Sequence, residues 1–331
     1  MNGTQVKIVY SPKYDIRLGG IEKLHPFDSC KYSRAWNELT HLLGKKIEQC
    51  RLEPEHAATD QELAQVHAPR YLESLSKSKP VAKALEIPML KWLPSKLVTK
   101  QIVEPMKWSV SGTILALEQA IKNGIAINLS GGYHHASANR GEGFCLFADV
   151  GIAIAELRKR GLLDPNDAVL IIDLDAHQGN GNEHVFRDDA AIHIFDMYNK
   201  DIYPNDIYAR ERINCDVPVV SGTGDEVYMA LLQQRLPLFI RSVPNPKIAI
   251  YNAGTDIVAR DPLGALNVSS KGVLERDKFV FHQLAEHQIP FLVLPSGGYT
   301  NASYKLIADS IAYLLRTWSA IDFRTIRSDR K

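Results

Sequence analysis

Ala168-Val169-Leu170-Ile171-Ile172 runs without a break into Asp173-Leu174-Asp175-Ala176-His177-Gln178-Gly179-Asn180-Gly181. A short apolar run that ends abruptly in polar and turn residues predicts a strand covered on both faces. Two carboxylates and an imidazole then leave the end of that strand together. In extended chain Asp175 and His177 point the same way, because side chains alternate with a period of two. That spacing suits two ligands of one metal ion, and the glycines let the backbone turn close to whatever is bound.

Working outward, further apolar runs at 6–10, 125–129, 191–195, 247–252 and 290–294 predict strands of the same kind. Helical periodicity covers 29–43, 106–122, 149–160, 225–241, 270–287 and 301–318, with Gly124 and Gly161 as stops and Pro237 as a break. Thr59-Asp60-Gln61-Glu62 has the chemistry of a capping box. Residues 77–105 hold Pro80, Pro88, Pro94 and Pro105 and read as irregular surface. Strands alternating with helices predict an α/β fold around a parallel sheet covered on both sides. No linker or repeat divides the chain, so the expectation is one domain over 1–331 with its core at about 6–318.

The 331 residues are 45% hydrophobic and 23% charged, with a formal charge of +1, which gives no electrostatic case for direct nucleic-acid binding. Cys30, Cys50, Cys145 and Cys215 show no Cys-x-x-Cys spacing and read as reduced thiols. No signal peptide, nuclear signal or membrane-length apolar run is visible, so the expected location is cytoplasmic. The basic Arg324–Lys331 tail reads as solvated, and the oligomeric state is left open.

In parallel sheets, ligands bind beyond the carboxyl ends of the strands. Four polar clusters follow strands here: Ser130-Gly131-Gly132-Tyr133-His134-His135, Asp173 to Gly181, Asn252-Ala253-Gly254-Thr255-Asp256, and Ser296-Gly297-Gly298-Tyr299. Asp175, His177 and Asp256 form the candidate metal set, since two carboxylates and a neutral imidazole balance a divalent charge and leave a position open. The donors allow Zn²⁺ or Fe²⁺ and disfavour Mg²⁺. The competing reading of an Asp-x-His is a turn or helix cap. His134 and His135 are candidates for a base and an acid, against one core and one exposed histidine. Asp173 suits the imidazole N–H of a histidine better than the metal. Tyr299 is a candidate donor to a developing oxyanion, or a tyrosine on a mobile loop. Gly222-Thr223-Gly224 and Gly179-Asn180-Gly181 lack a phosphate-loop pattern and read as turns.

These motifs, together with Gly143-Phe144-Cys145 and Asp261-Pro262-Leu263-Gly264, resemble the zinc-dependent histone deacetylases over residues 6–310. Ile8-Val9-Tyr10-Ser11-Pro12, Glu22 to Asp28, and Met197-Tyr198-Asn199 through Ile202-Tyr203-Pro204 resemble the class IV branch. The resemblance implies the arginase/deacetylase fold, an α/β/α sandwich around a mostly parallel eight-stranded sheet. It implies zinc on Asp175, His177 and Asp256, and a structural K⁺ near Asp173, Asp175 and His177. His134 and His135 become the acid–base pair, with Asp173 beside His134, and Tyr299 the partner of the scissile carbonyl. Gly143, Phe144 and Leu263 match an acyl-lysine tunnel. The implied substrate is an acyl-lysine protein or peptide, with long fatty acyl groups favoured in class IV. Acetylpolyamines, an arginase-like di-manganese hydrolase and a non-catalytic acyl-lysine binding module are the alternatives. The second manganese would need further ligands that Asn180 does not supply.

Asn180 departs from the class I pattern, which has an aspartate as partner of the second histidine. A neutral amide stabilises an imidazolium less than a carboxylate does. A base must be neutral to act, so Asn180→Asp is expected to raise the lower apparent pKa of the activity–pH profile. An unchanged profile would count against Asn180 as the partner of His135.

Overall fold

The computed structural model describes residues 5–17, 28 and 30–321. Most of the Glu22–Asp28 motif and the Arg324–Lys331 tail lie outside the described residues. The strands are β1 (Gln5–Val9), β2 (Arg51–Leu52), β3 (Gly124–Asn128), β4 (Val169–Asp173), β5 (Ile192–Asp196), β6 (Cys215–Asp216), β7 (Ile248–Asn252) and β8 (Phe291–Leu294). They form one sheet in the order β2-β1-β3-β8-β7-β4-β5-β6. Every pairing among the described strands is parallel. This is the arginase/deacetylase fold.

Alternation along the strands splits the core in two. Leu170 and Ile172 of β4 pack on one side with the helices Lys31–Leu43, Asp225–Ser242, Ser270–Glu286 and Ser303–Trp318. Val169 and Ile171 pack on the other with the helices Glu104–Asn123 and Asp149–Lys159. The register aligns the polar strand ends: Asp173 lies opposite both Asp196 and Asn252. Three neighbouring strands therefore deliver their loops to one edge.

Two expectations need correction. The stretch 77–105 is not irregular but a chain of short helical turns, including Ser78–Ala84, Pro88–Trp92, Ser95–Val98 and Thr99–Val103. Pro88 opens a helical segment, Pro94 immediately precedes one and Pro80 lies in a first turn, where the missing N–H has no intrahelical acceptor to lose, while Pro105 follows the π-helical turn Thr99–Val103. Pro237 does not break its helix, which runs on to Ser242. Leu236, Phe239 and Ile240 are buried around it, and their packing outweighs one lost backbone bond. The capping box at Thr59 and Glu62 is present. Among the described residues there is no disulfide, and no helix is long and apolar enough to cross a membrane.

One helix residue reaches under the sheet edge. Arg276 is fully buried; its Nη1 donates to the carbonyls of Leu174 (3.0 Å) and Gly254 (2.6 Å). Leu174 separates Asp173 from Asp175, and Gly254 lies two residues before Asp256. One guanidinium thus clasps the loops after β4 and β7. Asp277 takes Arg276 Nε at 2.8 Å and the Tyr251 hydroxyl at 2.5 Å. Arg276→Met leaves Asp277 buried without its cation. It should destabilise the protein by about 3–5 kcal/mol, read by urea unfolding; a loss below about 1 kcal/mol would show that the clasp is not structural.

Candidate active site

Asp175 and His177 leave β4, and Asp256 lies in the turn after the neighbouring β7. The chain bends at once instead of continuing extended, so that Asp175 Oδ1 accepts the His177 backbone N–H at 3.0 Å. His177 Nδ1 lies 3.0 Å from both Asp175 Oδ1 and Asp256 Oδ2. All three residues are buried and their donor atoms lie within 4.8 Å of one another. Two backbone amides aim the remaining carboxylate oxygens: Ala176 N–H donates to Asp256 Oδ1 (2.9 Å) and Gly297 N–H to Asp175 Oδ2 (2.8 Å).

This set fits a divalent cation. Burial, with the charge of Asp175 beside it, pushes the Asp256 carboxyl up to about 7. A cation between the two carboxylates would relieve that repulsion. Gly297 keeps the approach clear: a Cβ there would stand 2.3 Å from Asp256 Oδ2 and 2.5 Å from Asp175 Oδ2.

The histidine pair hangs on Asp149. This buried acid in the first turn of the helix Asp149–Lys159 accepts the backbone N–H groups of Gly132 (3.0 Å) and Tyr133 (2.8 Å) and the Thr113 hydroxyl (2.8 Å). The loop so held carries both imidazoles inward, with ring centroids 4.1 Å apart. His134 Nδ1 lies 2.9 Å from Asp173 Oδ2, and its Nε2 lies 3.7 Å from Asp175 Oδ1. His135 Nδ1 lies 2.7 Å from Asn180 Oδ1. Burial disfavours a charge on either ring. At His134 the carboxylates of Asp173 and Asp175 outweigh it and raise the pKa to about 9. At His135 burial and the neighbouring His134 and His177 hold the pKa well below the ordinary histidine value. Two adjacent imidazoles are thus driven to opposite protonation states.

Tyr299 faces this centre edge-on to His177, with centroids 6.1 Å apart, and packs against Phe144 at 5.7 Å. Burial and the nearby Asp175 and Asp256 charges keep its phenol protonated, pushing its pKa well above 10. Its backbone N–H donates to Asp261 (2.8 Å), which also accepts from Leu263 (3.0 Å) and Gly264 (3.1 Å). That acid ties the Leu263 loop to Tyr299. Gly143, at φ +53°, lies on the His135 ring, where a Cβ would stand 2.3 Å from Cδ2. Gly143, Phe144, Tyr299 and both histidines line a cavity of about 30 Å³; Leu263 does not line it.

Sequence reasoning missed three contributors. Asp149 looks like any acid at a helix start. Asp261 carries a visible signal, since Asp-Pro-x-Gly is turn chemistry. Tyr203 stands in the Ile202-Tyr203-Pro204 stretch of the class IV resemblance without an assigned role, and its ring packs edge-on to His135 at 5.2 Å. Asn180, expected in a turn, opens the short helix Asn180–Val185.

The separation of Asp173 from the metal set is testable by chelator competition. Asp175→Asn is expected to abolish stoichiometric binding of a divalent ion. Asp173→Asn should weaken binding by no more than about 10–100-fold. Complete loss in Asp173→Asn would move it into the ligand set.

A family profile described as "Histone deacetylase domain" matches residues 25–315. Histone deacetylase 2 of Arabidopsis thaliana is 45% identical over 315 residues, covering 95% of this chain and 79% of that protein. Histone deacetylase 8 of Xenopus tropicalis is 26% identical over 269 residues, or 76% and 69%. The crystal structure of an HDA15 HD domain shares the fold, with a TM-score of 0.72 at 19% identity over 95% of this chain and 88% of that one. With the profile spanning most of the sequence and one relative near half identical along almost its whole length, this chain belongs to the histone deacetylase domain family.

Proposed function

We propose that the protein is a zinc-dependent hydrolase that removes an acyl group from a lysine ε-amine, with its catalytic apparatus in a single domain. The observation that carries this reading is the convergence of His134 Nε2 on Asp175 Oδ1 at 3.7 Å. It sets an acid–base pair against a complete metal-ligand set. Asp175, His177 and Asp256 would hold the ion, and Fe²⁺ suits the same donors. When bound, a divalent ion supplies Lewis acidity toward water and the amide carbonyl.

The chain's own residues do the rest. His135, held neutral, accepts a proton at Nε2. His134, whose charged form Asp173 favours, gives one to the departing amine from Nε2. The Tyr299 phenol donates a hydrogen bond to the oxygen on which negative charge develops. Phe144 and Gly143 pack around the reacting end and exclude water. A binding module for acyl-lysine would need neither histidine, so this arrangement favours hydrolysis.

The class IV reading rests on the Ile8–Pro12, Glu22–Asp28, Met197–Asn199 and Ile202–Pro204 stretches, and Tyr203 from the last packs on His135. The structural K⁺ stays part of the proposal. The buried Asp196, on the strand beside Asp173, interacts with Glu183 and is held well above the carboxylate range, so a cation there would replace its proton. The cavity at the histidines, about 30 Å³, has room for about two waters. It suits an acetyl group better than the fatty chain that class IV resemblance implies.

Tyr299→Phe is expected to cut kcat on an acetyl-lysine peptide by about 10²-fold or more with metal content unchanged. Near-normal turnover would remove the phenol from the mechanism. Across acetyl-, butyryl- and myristoyl-lysine peptides, kcat/KM should fall with chain length. A maximum at myristoyl would mean that the cavity opens in the bound state.

A further inference from the structure

We propose that Glu142 is a positioning residue for His135, acting through the side-chain amide of Asn180. The inference rests on the deacylase reading above and adds a residue to it.

Asn180 is buried, and its two ends meet different partners. Oδ1 lies 2.7 Å from His135 Nδ1, and Nδ2 donates to Glu142 Oε1 at 2.9 Å. An ionised carboxylate can only accept. Glu142 therefore decides which way the amide points: NH₂ toward the carboxylate, oxygen toward the imidazole. An amide oxygen can also only accept, so His135 Nδ1 must carry the hydrogen. Its Nε2 is left with the lone pair, the form in which it takes up a proton. A reversed amide would present NH₂ to Nδ1, move the ring hydrogen to Nε2 and block that acceptor.

Glu142 is itself held. Arg140 Nη2 lies 3.1 Å from the same Oε1 and 3.7 Å from Asp206 Oδ2, so its charge sits beside both carboxylates. The backbone carbonyl of Glu142 accepts Cys145 N–H at 2.9 Å, closing the turn in which Gly143 packs on the His135 ring. One short turn thus fixes His135 twice, across its face by Gly143 and at Nδ1 by Glu142 through Asn180.

A carboxylate at position 180 would need no such help, because either oxygen accepts. This separates aiming from mere support of the fold. On an acetyl-lysine peptide, Glu142→Ala should lower kcat about 10-fold with KM within about twofold, the scale of one hydrogen bond. Glu142→Gln keeps an acceptor oxygen for Asn180 and should recover to within about threefold of wild type. In the Asn180→Asp background, Glu142→Ala should cost less than about twofold or raise kcat, since it also removes a like charge. Equal losses in both backgrounds, or no loss in the native one, overturn the inference and leave the deacylase reading intact. A wild-type protein inactive on every acyl-lysine peptide overturns the reading itself and the inference with it.

Discussion

Buried negative charge is the constraint on which the site depends. Asp173, Asp175, Asp256, Asp196 and Glu183 are all buried at the ends of adjoining strands or just beyond them. In a weakly screening interior such a cluster repels itself strongly. The structure answers with fixed donors. Arg276 binds the carbonyls that flank the ligands, and backbone amides of Ala176, Gly179 and Gly297 donate to Asp256, Asp196 and Asp175. Where donors run short, protons remain. Burial pushes Glu183 up to about 7, and burial with the charges of Asp173 and Glu183 holds Asp196 well above the carboxylate range. A cation held by Asp175, His177 and Asp256 would supply the remaining compensation, and metal affinity and the stability of this sheet edge would then be aspects of one charge balance.

The proposed acid–base pair differs by contrast within that field. Two neighbouring imidazoles have the same burial but different partners, a carboxylate for His134 and an amide for His135. Chemistry that needs one charged and one neutral ring obtains both from the residues at 173 and 180, with no difference in the histidines themselves.

How much of this was legible follows from the range of each interaction. β4 and its polar exit could be read because a buried strand and a two-residue ligand spacing are local patterns. The convergence of Asp175 with Asp256 could be anticipated because parallel strands end on one edge. β2 and β6 were invisible, since two residues carry no periodicity. The 77–105 region was misread because proline was counted as a breaker where its position at a helix start makes it neutral. Asp149 and Arg276 escaped because a buried polar residue that anchors a distant loop looks, in sequence, like a solvated one. Only the resemblance implied tunnel positions for Phe144 and Leu263, and of the two Phe144 alone lines the cavity at the histidines.

The strand order carries a consequence for how the molecule is made. β2, β1 and β3 form one flank of the sheet and β4, β5 and β6 the other. The strands that join them, β7 and β8, are the last along the chain. During synthesis the two flanks have no hydrogen-bonded contact in the sheet until residues 248–294 emerge from the ribosome. Their inner edges must wait, unpaired, as templates for wrong pairing. The histidine loop belongs to one flank and Asp175 and His177 to the other. The two halves of the candidate site are therefore brought together in the sheet only when its final strands close between them.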